Sequence, residues 1–142
     1  MMKAHLDHIG IAIQPNSPLA EVFEVLGLPI ASRERVERES LDIDWIPLPA
    51  GDAVSAPHLE LLHPYEESSV IGKFLAKNKR DGVHHLCFRV DDALQVGVAL
   101  QNAGFQLIYP LPKAGAHDCL VNFLHPQSTG GVLIEISQKV AK

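Results

Sequence analysis

The sequence has little of what marks several common protein classes. Its 142 residues include two cysteines, Cys87 and Cys119, and aromatic residues make up 6% of the chain. Two cysteines in apolar segments do not form the disulfide framework of a small secreted domain, and they suit a reducing cytosol. No apolar run approaches the roughly 20 residues that span a bilayer, and the N-terminus has no signal-peptide core. We therefore expect a cytoplasmic protein with no membrane partner.

The charge of the chain excludes a second class. The net charge is −5 at neutral pH, and no basic run or stripe is present. A nucleic-acid partner is therefore not expected. The length favours one domain over residues 1–142. What the sequence does have is eight histidines, and their placement indicates a site.

Two parts of the chain follow the same plan. Each starts with a histidine on an alternating strand, continues with a helical segment, and reaches a strand with one glutamate among aliphatic residues. The glutamate follows the histidine by 52 residues in the first part and by 50 in the second. The four residues are His8, Glu60, His85 and Glu135.

This duplication predicts the fold. We expect an α+β protein with two tandem βαβββ modules, about 5–63 and 83–137, and a linker helix at about 68–78. The two modules would form one curved mixed sheet around a central metal cleft. Further strands are predicted at 28–33, 41–48, 105–109, 119–124 and 132–137. A charged surface stretch is predicted at 33–40 and a loop at 49–57.

Side-chain alternation predicts which residues face the cleft. A carboxylate enclosed in an apolar sheet is unfavourable unless it is paired, protonated or bound to a metal. A single such glutamate is more often exposed to solvent, but two His–Glu pairs at equivalent positions favour a shared site. Two imidazoles and two carboxylates suit a divalent ion such as Co, Mn, Ni, Mg or Zn. His84 would face away from this site, and His5, His58, His63 and His125 are interpreted as surface or turn histidines.

Several longer segments resemble the vicinal oxygen chelate superfamily and, within it, methylmalonyl-CoA epimerases. The resemblance covers most of the chain and is most specific in two segments, Gly-Val-His-His-Leu-Cys-Phe-Arg-Val-Asp-Asp (82–92) and Phe-Leu-His-Pro-Gln-Ser-Thr-Gly-Gly-Val-Leu-Ile-Glu-Ile (123–136). The others are Asp-His-Ile-Gly-Ile-Ala (7–12), Leu-Glu-Leu-Leu-His-Pro (59–64), Ser-Ser-Val-Ile-Gly-Lys-Phe-Leu (68–75) and Gly-Ala-His (115–117).

The resemblance implies a metal-dependent epimerase that interconverts (2R)- and (2S)-methylmalonyl-CoA, by proton abstraction and reprotonation through a metal-stabilised enolate. It also implies roles for individual residues. The metal-binding positions of the family correspond to His8, Glu60, His85 and Glu135. Glu135 also corresponds to one of the family's two acid–base groups. The second is a glutamate on the third strand in some members, and the nearest match here is Asp44, with Asp42 on the same face. A hairpin could place this acidic face beside Glu60, whereas exposure on an edge strand is the alternative. The family implies an acyl-CoA substrate and a homodimer. Arg89 shares a face with His85 and could bind a substrate carboxylate or phosphate, with a surface charge at a strand end as the alternative. His117, in a glycine-containing loop, is a second candidate substrate-binding residue.

The sequence also suggests two alternatives to an epimerase. A glyoxalase I-type lactoylglutathione lyase uses the same four ligand positions, so the metal site does not discriminate it from the epimerase. A metal-free small-molecule binding or sequestering protein of the superfamily should lack the ligands, and all four are present. A ring-cleaving dioxygenase would need two histidines, one carboxylate and a longer chain.

Overall fold

The computed structural model describes residues 3–49 and 56–140. The chain forms two compact units, residues 8–84 and residues 1–7 with 85–142, called the first and the second unit below. The elements up to the linker helix are β1 Ala4–Ala12, α1 Leu19–Val25, β2 Ser32–Val36, β3 Leu41–Pro47, β4 His58–Pro64 and α2 Val70–Asn78. Those that follow are β5 Gly82–Val90, α3 Ala93–Asn102, β6 Lys113–Ala114, β7 Cys119–Leu124 and β8 Ile134–Lys139.

Each unit contains four strands in the same kind of arrangement. The order is β2-β3-β4-β1 in the first unit and β5-β8-β7-β6 in the second. In each, the strand that carries the histidine lies parallel to the strand that carries the glutamate. The neighbouring pairs β3–β4 and β7–β8 are antiparallel. The predicted α+β class and the repeated βαβββ order are confirmed, while the single-domain organisation stays a prediction.

The two faces of the first unit's sheet bury different side chains. Isoleucines of β1 and leucines of β4 pack with Phe23 of α1 on one face. On the other face, residues such as Ile43 and Leu62 pack with Ile71 and Leu75 of α2. The helices thus cover apolar side chains on both faces, because successive residues of a strand point to opposite sides.

The linker helix α2 begins with a close backbone approach. Ser69 is its N-cap, and its hydroxyl oxygen accepts a hydrogen bond from the backbone N–H of Gly72 at 3.0 Å. A Cβ atom at Gly72 would lie 2.6 Å from the carbonyl oxygens of Glu66 and Glu67. Only glycine fits there without a shift of the preceding turn.

Two predicted strands are wrong. The strand expected at 28–33 lies instead at Ser32–Val36. The charged residues assigned to the surface form this strand because Arg33 and Arg35 lie opposite Asp44 and Asp42 of β3. The strand expected at 105–109 is replaced by a segment with one isolated bridge, Leu107 to Leu124.

Two further predictions concern the loop at 49–57 and the membrane. The loop lies largely outside the described residues. Among the helices that the structure describes, none combines the length and apolar character needed to cross a bilayer.

Candidate metal centre

The first unit brings His8 and Glu60 together. The parallel pairing of β1 and β4 sets His8 opposite His58 and Gly10 opposite Glu60, so the His8 and Glu60 side chains share a face. His8 Nδ1 lies 3.3 Å from Glu60 Oε2, and both side chains are about nine-tenths buried. The predicted pairing of these two residues is therefore present.

The second unit brings His85 and Glu135 together in the same way. Cys87, two residues after the histidine, lies opposite Glu135, as Gly10 lies opposite Glu60. His85 Nε2 is 3.4 Å from Glu135 Oε1, and both side chains are again nearly buried. The duplication seen in the sequence thus extends to the strand register.

The two His–Glu distances are informative. Hydrogen bonds from ring nitrogens to oxygens have lengths of about 2.7–3.2 Å. Adjacent ligands of an octahedral ion, each about 2.1 Å from the metal, lie about 3 Å apart. The distances of 3.3 and 3.4 Å are slightly longer than both, so each pair leaves room for its two atoms to bind one ion. The residues of each unit therefore fit a divalent ion in spacing as well as in donor type.

His58 is a third imidazole beside Glu60, and the sequence interpretation of it as a surface histidine is wrong. It is 8% exposed, and its Nε2 atom lies 2.7 Å from Glu60 Oε2. Its ring stacks on Trp45 with centroids 3.8 Å apart and planes 14° apart. The sequence did carry a signal, because His58 precedes Glu60 by two residues on one strand and so shares its face.

Asp44 lies on the wrong face of the sheet for the role that the resemblance implies. Trp45 is the residue of β3 opposite Glu60, whereas Asp44 is opposite Leu61. Asp44 and Glu60 therefore point to opposite faces. The expectation of an acidic face of β3 beside Glu60 is wrong, and Asp44 is not retained as an acid–base group.

The contacts of Asp44 show what it does instead. Its carboxylate is 2% exposed. It accepts a hydrogen bond from Arg33 Nη2 at 2.8 Å and a second from Arg33 Nε, and His63 Nε2 lies 2.8 Å away. Burial raises the pKa of Asp44, but the hydrogen bonds from Arg33 and His63 outweigh it and hold that pKa below its ordinary value. Asp44 is therefore a buried, ionised carboxylate whose negative charge is balanced by Arg33.

Glu39 has an unusual electrostatic environment for a residue at a turn. It ends a short 3-10 helix between β2 and β3. Its side chain reaches the surface, yet desolvation by the surrounding protein raises the pKa of its carboxyl group. Arg38 opposes this shift, and the negative charge of Glu60 raises the pKa further. Glu39 therefore takes up a proton more readily than an ordinary surface glutamate.

Arg89 and His117 belong to the second unit. Arg89 Nη2 lies 2.9 Å from Asp7 Oδ1, and in the described part of the chain its buried Nε has no hydrogen-bond partner. His117 is exposed and has a left-handed backbone, with φ of 58°. Such a conformation is uncommon for residues other than glycine.

His84 has the environment of a packing residue. Its ring meets the ring of Phe74 edge-on, with centroids 5.0 Å apart, and burial lowers the pKa of its imidazole. It is the neighbour of His85 on β5, so its side chain points away from the His85 face as predicted.

Comparison with known proteins assigns the family. Residues 7–123 match the model of the Glyoxalase/Bleomycin resistance protein/Dioxygenase superfamily. The chain belongs to this superfamily. Its fold is also that of a solved methylmalonyl-CoA epimerase in complex with methylmalonyl-CoA and NH4+. That structure has a TM-score of 0.84 and 30% sequence identity, over 97% of this chain and 96% of the other.

Two proteins with similar sequences are also named as methylmalonyl-CoA epimerases. The ethylmalonyl-CoA/methylmalonyl-CoA epimerase of Cereibacter sphaeroides is 34% identical over 139 residues, which cover 96% of this chain and 99% of that protein. The mitochondrial methylmalonyl-CoA epimerase of Dictyostelium discoideum is 46% identical over 81 residues. That match covers 57% of this chain and about half, 49%, of the Dictyostelium protein. The predicted relationship to epimerases is confirmed.

Proposed function

We propose that this protein interconverts (2R)- and (2S)-methylmalonyl-CoA at a divalent metal site formed by His8, Glu60, His85 and Glu135. The observation that carries the proposal is the pair of nearly buried His–Glu contacts at the same register in the two units. Full-length similarity to epimerases supports this activity over that of a lyase or a metal-free binding protein.

Epimerisation requires a proton to leave one face of the α-carbon and another to arrive on the opposite face. A bound divalent ion would supply Lewis-acid stabilisation of the charge that develops on the thioester oxygen. Glu135 is the proposed carrier of one proton. Its carboxylate lies in a nearly buried setting beside His85, where a charge that changes during reaction is weakly screened.

Arg89 and His117 are proposed to contact the substrate. The buried Nε–H of Arg89 lacks a partner among the described residues, and Nη2 is held by Asp7. An unsatisfied buried donor is unfavourable, so an acceptor such as a substrate carboxylate would complete its hydrogen bonding. For His117 the support is its exposed, left-handed position in the loop segment at 115–117 that resembles the family.

Glu39 replaces Asp44 as our candidate for the second proton carrier. Its raised pKa and its interaction with the charge of Glu60 are those of a carboxyl that exchanges a proton close to a metal ligand. We expect Glu39→Gln to slow epimerisation by about 10²-fold or more, since acid–base groups contribute about 10²–10⁴-fold. Steady-state epimerisation measures this, with Glu37→Gln on the same turn as the control. A wild-type rate for Glu39→Gln would remove it from the reaction.

The activity is tested by isotope exchange. The metal-loaded protein is incubated with (2S)-methylmalonyl-CoA in deuterated water, and α-deuterium incorporation is followed by mass spectrometry. We expect exchange in the wild type and its loss in Glu135→Gln. Absent exchange together with turnover of the methylglyoxal–glutathione adduct would assign the lyase activity instead.

Three expectations around this function stay predictions. The identity of the ion among Co, Mn, Ni, Mg and Zn is addressed by metal analysis of protein purified without chelators. The homodimer is addressed by sedimentation, and the cytoplasmic location by cell fractionation.

A further inference from the structure

His58 is a buried imidazole to which the proposed reaction gives no role. It lies on β4 two residues before Glu60, opposite His8 of β1, and it is 8% exposed. A buried imidazole needs a partner for its ring N–H. The partner of its Nε2 atom is the carboxylate of the proposed metal ligand Glu60.

The geometry separates this contact from those of the proposed ligand pairs. His58 Nε2 is 2.7 Å from Glu60 Oε2, the length of a charge-assisted hydrogen bond. The His8 and His85 contacts to their glutamates are longer, at 3.3 and 3.4 Å. An ionised carboxylate only accepts hydrogen bonds, so the proton of this bond belongs to His58 Nε2.

The His58 ring is itself fixed. Its stacking on Trp45, with centroids 3.8 Å apart and an angle of 14°, restricts rotation about the side-chain bonds. Trp45 lies opposite Glu60 in the β3–β4 pairing, so the same strand pair positions all three side chains. The oxygen that this rigid donor holds, Glu60 Oε2, is the one that lies 3.3 Å from His8 Nδ1, so His58 restricts where the carboxylate can meet an ion beside His8.

We propose that His58, held by Trp45, is a positioning residue that orients the Glu60 carboxylate for metal binding. This inference rests on the proposed role of Glu60 as a ligand. Removal of a residue that hydrogen-bonds to a metal ligand typically lowers the metal affinity by about 10–100-fold. The structure assigns this role to His58 in the first unit.

The test measures the affinity of the apo protein for Co²⁺ alone by titration calorimetry. His58→Phe keeps an aromatic ring on Trp45 but removes the N–H, and we expect the affinity to fall by about 10–100-fold. His58→Gln, whose amide N–H can reach the same carboxylate, should restore much of it. His5→Phe, at an exposed position of β1, is the matched control and should bind as the wild type does.

Spectroscopy separates positioning from ligation. Proton NMR of the Co²⁺ form shows strongly shifted exchangeable signals from metal-bound imidazoles. If His58 only positions Glu60, the number of these signals is the same in wild type and His58→Phe; the loss of one signal would make His58 a ligand and overturn the inference.

The calorimetry also separates this inference from the proposed function. Wild-type affinity in His58→Phe, with binding lost in Glu60→Ala, would overturn the role of His58 alone. Binding retained in Glu60→Ala would instead overturn the proposed metal site.

Discussion

Asp44 and Glu60 are two buried carboxylates on opposite faces of one sheet, and they differ in what surrounds them. Asp44 is held by two hydrogen bonds from a guanidinium and one contact to His63. Glu60 contacts two imidazoles, and no lysine or arginine of the described chain forms an ion pair with it. An imidazole has no permanent positive charge, whereas a guanidinium is always charged. The Asp44 charge is therefore balanced within the protein, whereas the Glu60 site suits an added cation.

This difference shows why burial alone does not distinguish a carboxylate that suits a metal ion from one that is paired within the protein. Both side chains come from alternating strands with apolar neighbours, and both lie beside a histidine. The presence of Arg33 makes the Asp44 cluster a structural one, because a bidentate guanidinium satisfies the carboxylate geometry. Metal ligation instead favours carboxylates that have neutral donors beside them.

The largest expected effect concerns Glu60. Glu60→Ala removes a proposed ligand, so the affinity for Co²⁺ should fall by at least about 100-fold, more than loss of an outer hydrogen bond causes. Asp44→Asn should bind Co²⁺ as the wild type does. Titration calorimetry of both variants measures this, and a similar loss in the two would contradict the division of roles between the carboxylates.

The next effect concerns stability. Asp44→Asn leaves Arg33 without its buried charged partner, and we expect the free energy of unfolding to fall by about 1–3 kcal/mol. Asp42 forms the equivalent bidentate contact with Arg35 at the exposed part of the same hairpin. Asp42→Asn is therefore the matched control and should change stability by less than about 1 kcal/mol. Urea unfolding of the wild type and both variants measures this. Equal losses of unfolding free energy in the two variants would show that the burial of Asp44 does not strengthen its pairing.

The smallest effect is a pH dependence of that stability difference. The pKa of Asp44 in the folded protein lies below its ordinary value of 3.8. Its contribution is therefore complete above this pH, and it is lost as the pH falls through the lower folded-state pKa. The stability gap between wild type and Asp44→Asn should be constant at neutral pH and should narrow in acid. Urea unfolding across this range measures it, and a gap that widens in acid would contradict the assigned pairing.

The sequence predicted the repeated module and the four ligand candidates because both depend on alternation along single strands. It failed where the outcome depends on pairing between strands. The face of Asp44 relative to Glu60 follows from the β3–β4 register, which alternation along one strand does not determine. The edge strand at Ser32–Val36 was missed because its charged residues are stabilised by aspartates on the next strand. His58 was interpreted as a surface histidine near a strand end. Its spacing of two residues from Glu60, which places both side chains on the same face of the strand, was not considered.

We propose above that the two His–Glu pairs bind one ion. Titration of the apo protein with Co²⁺, with His8→Ala and His85→Ala in parallel, tests it most directly. We predict one ion per chain in the wild type and a large loss of affinity for that ion in each variant. Two ions per chain, of which each variant loses one, would contradict a single shared site.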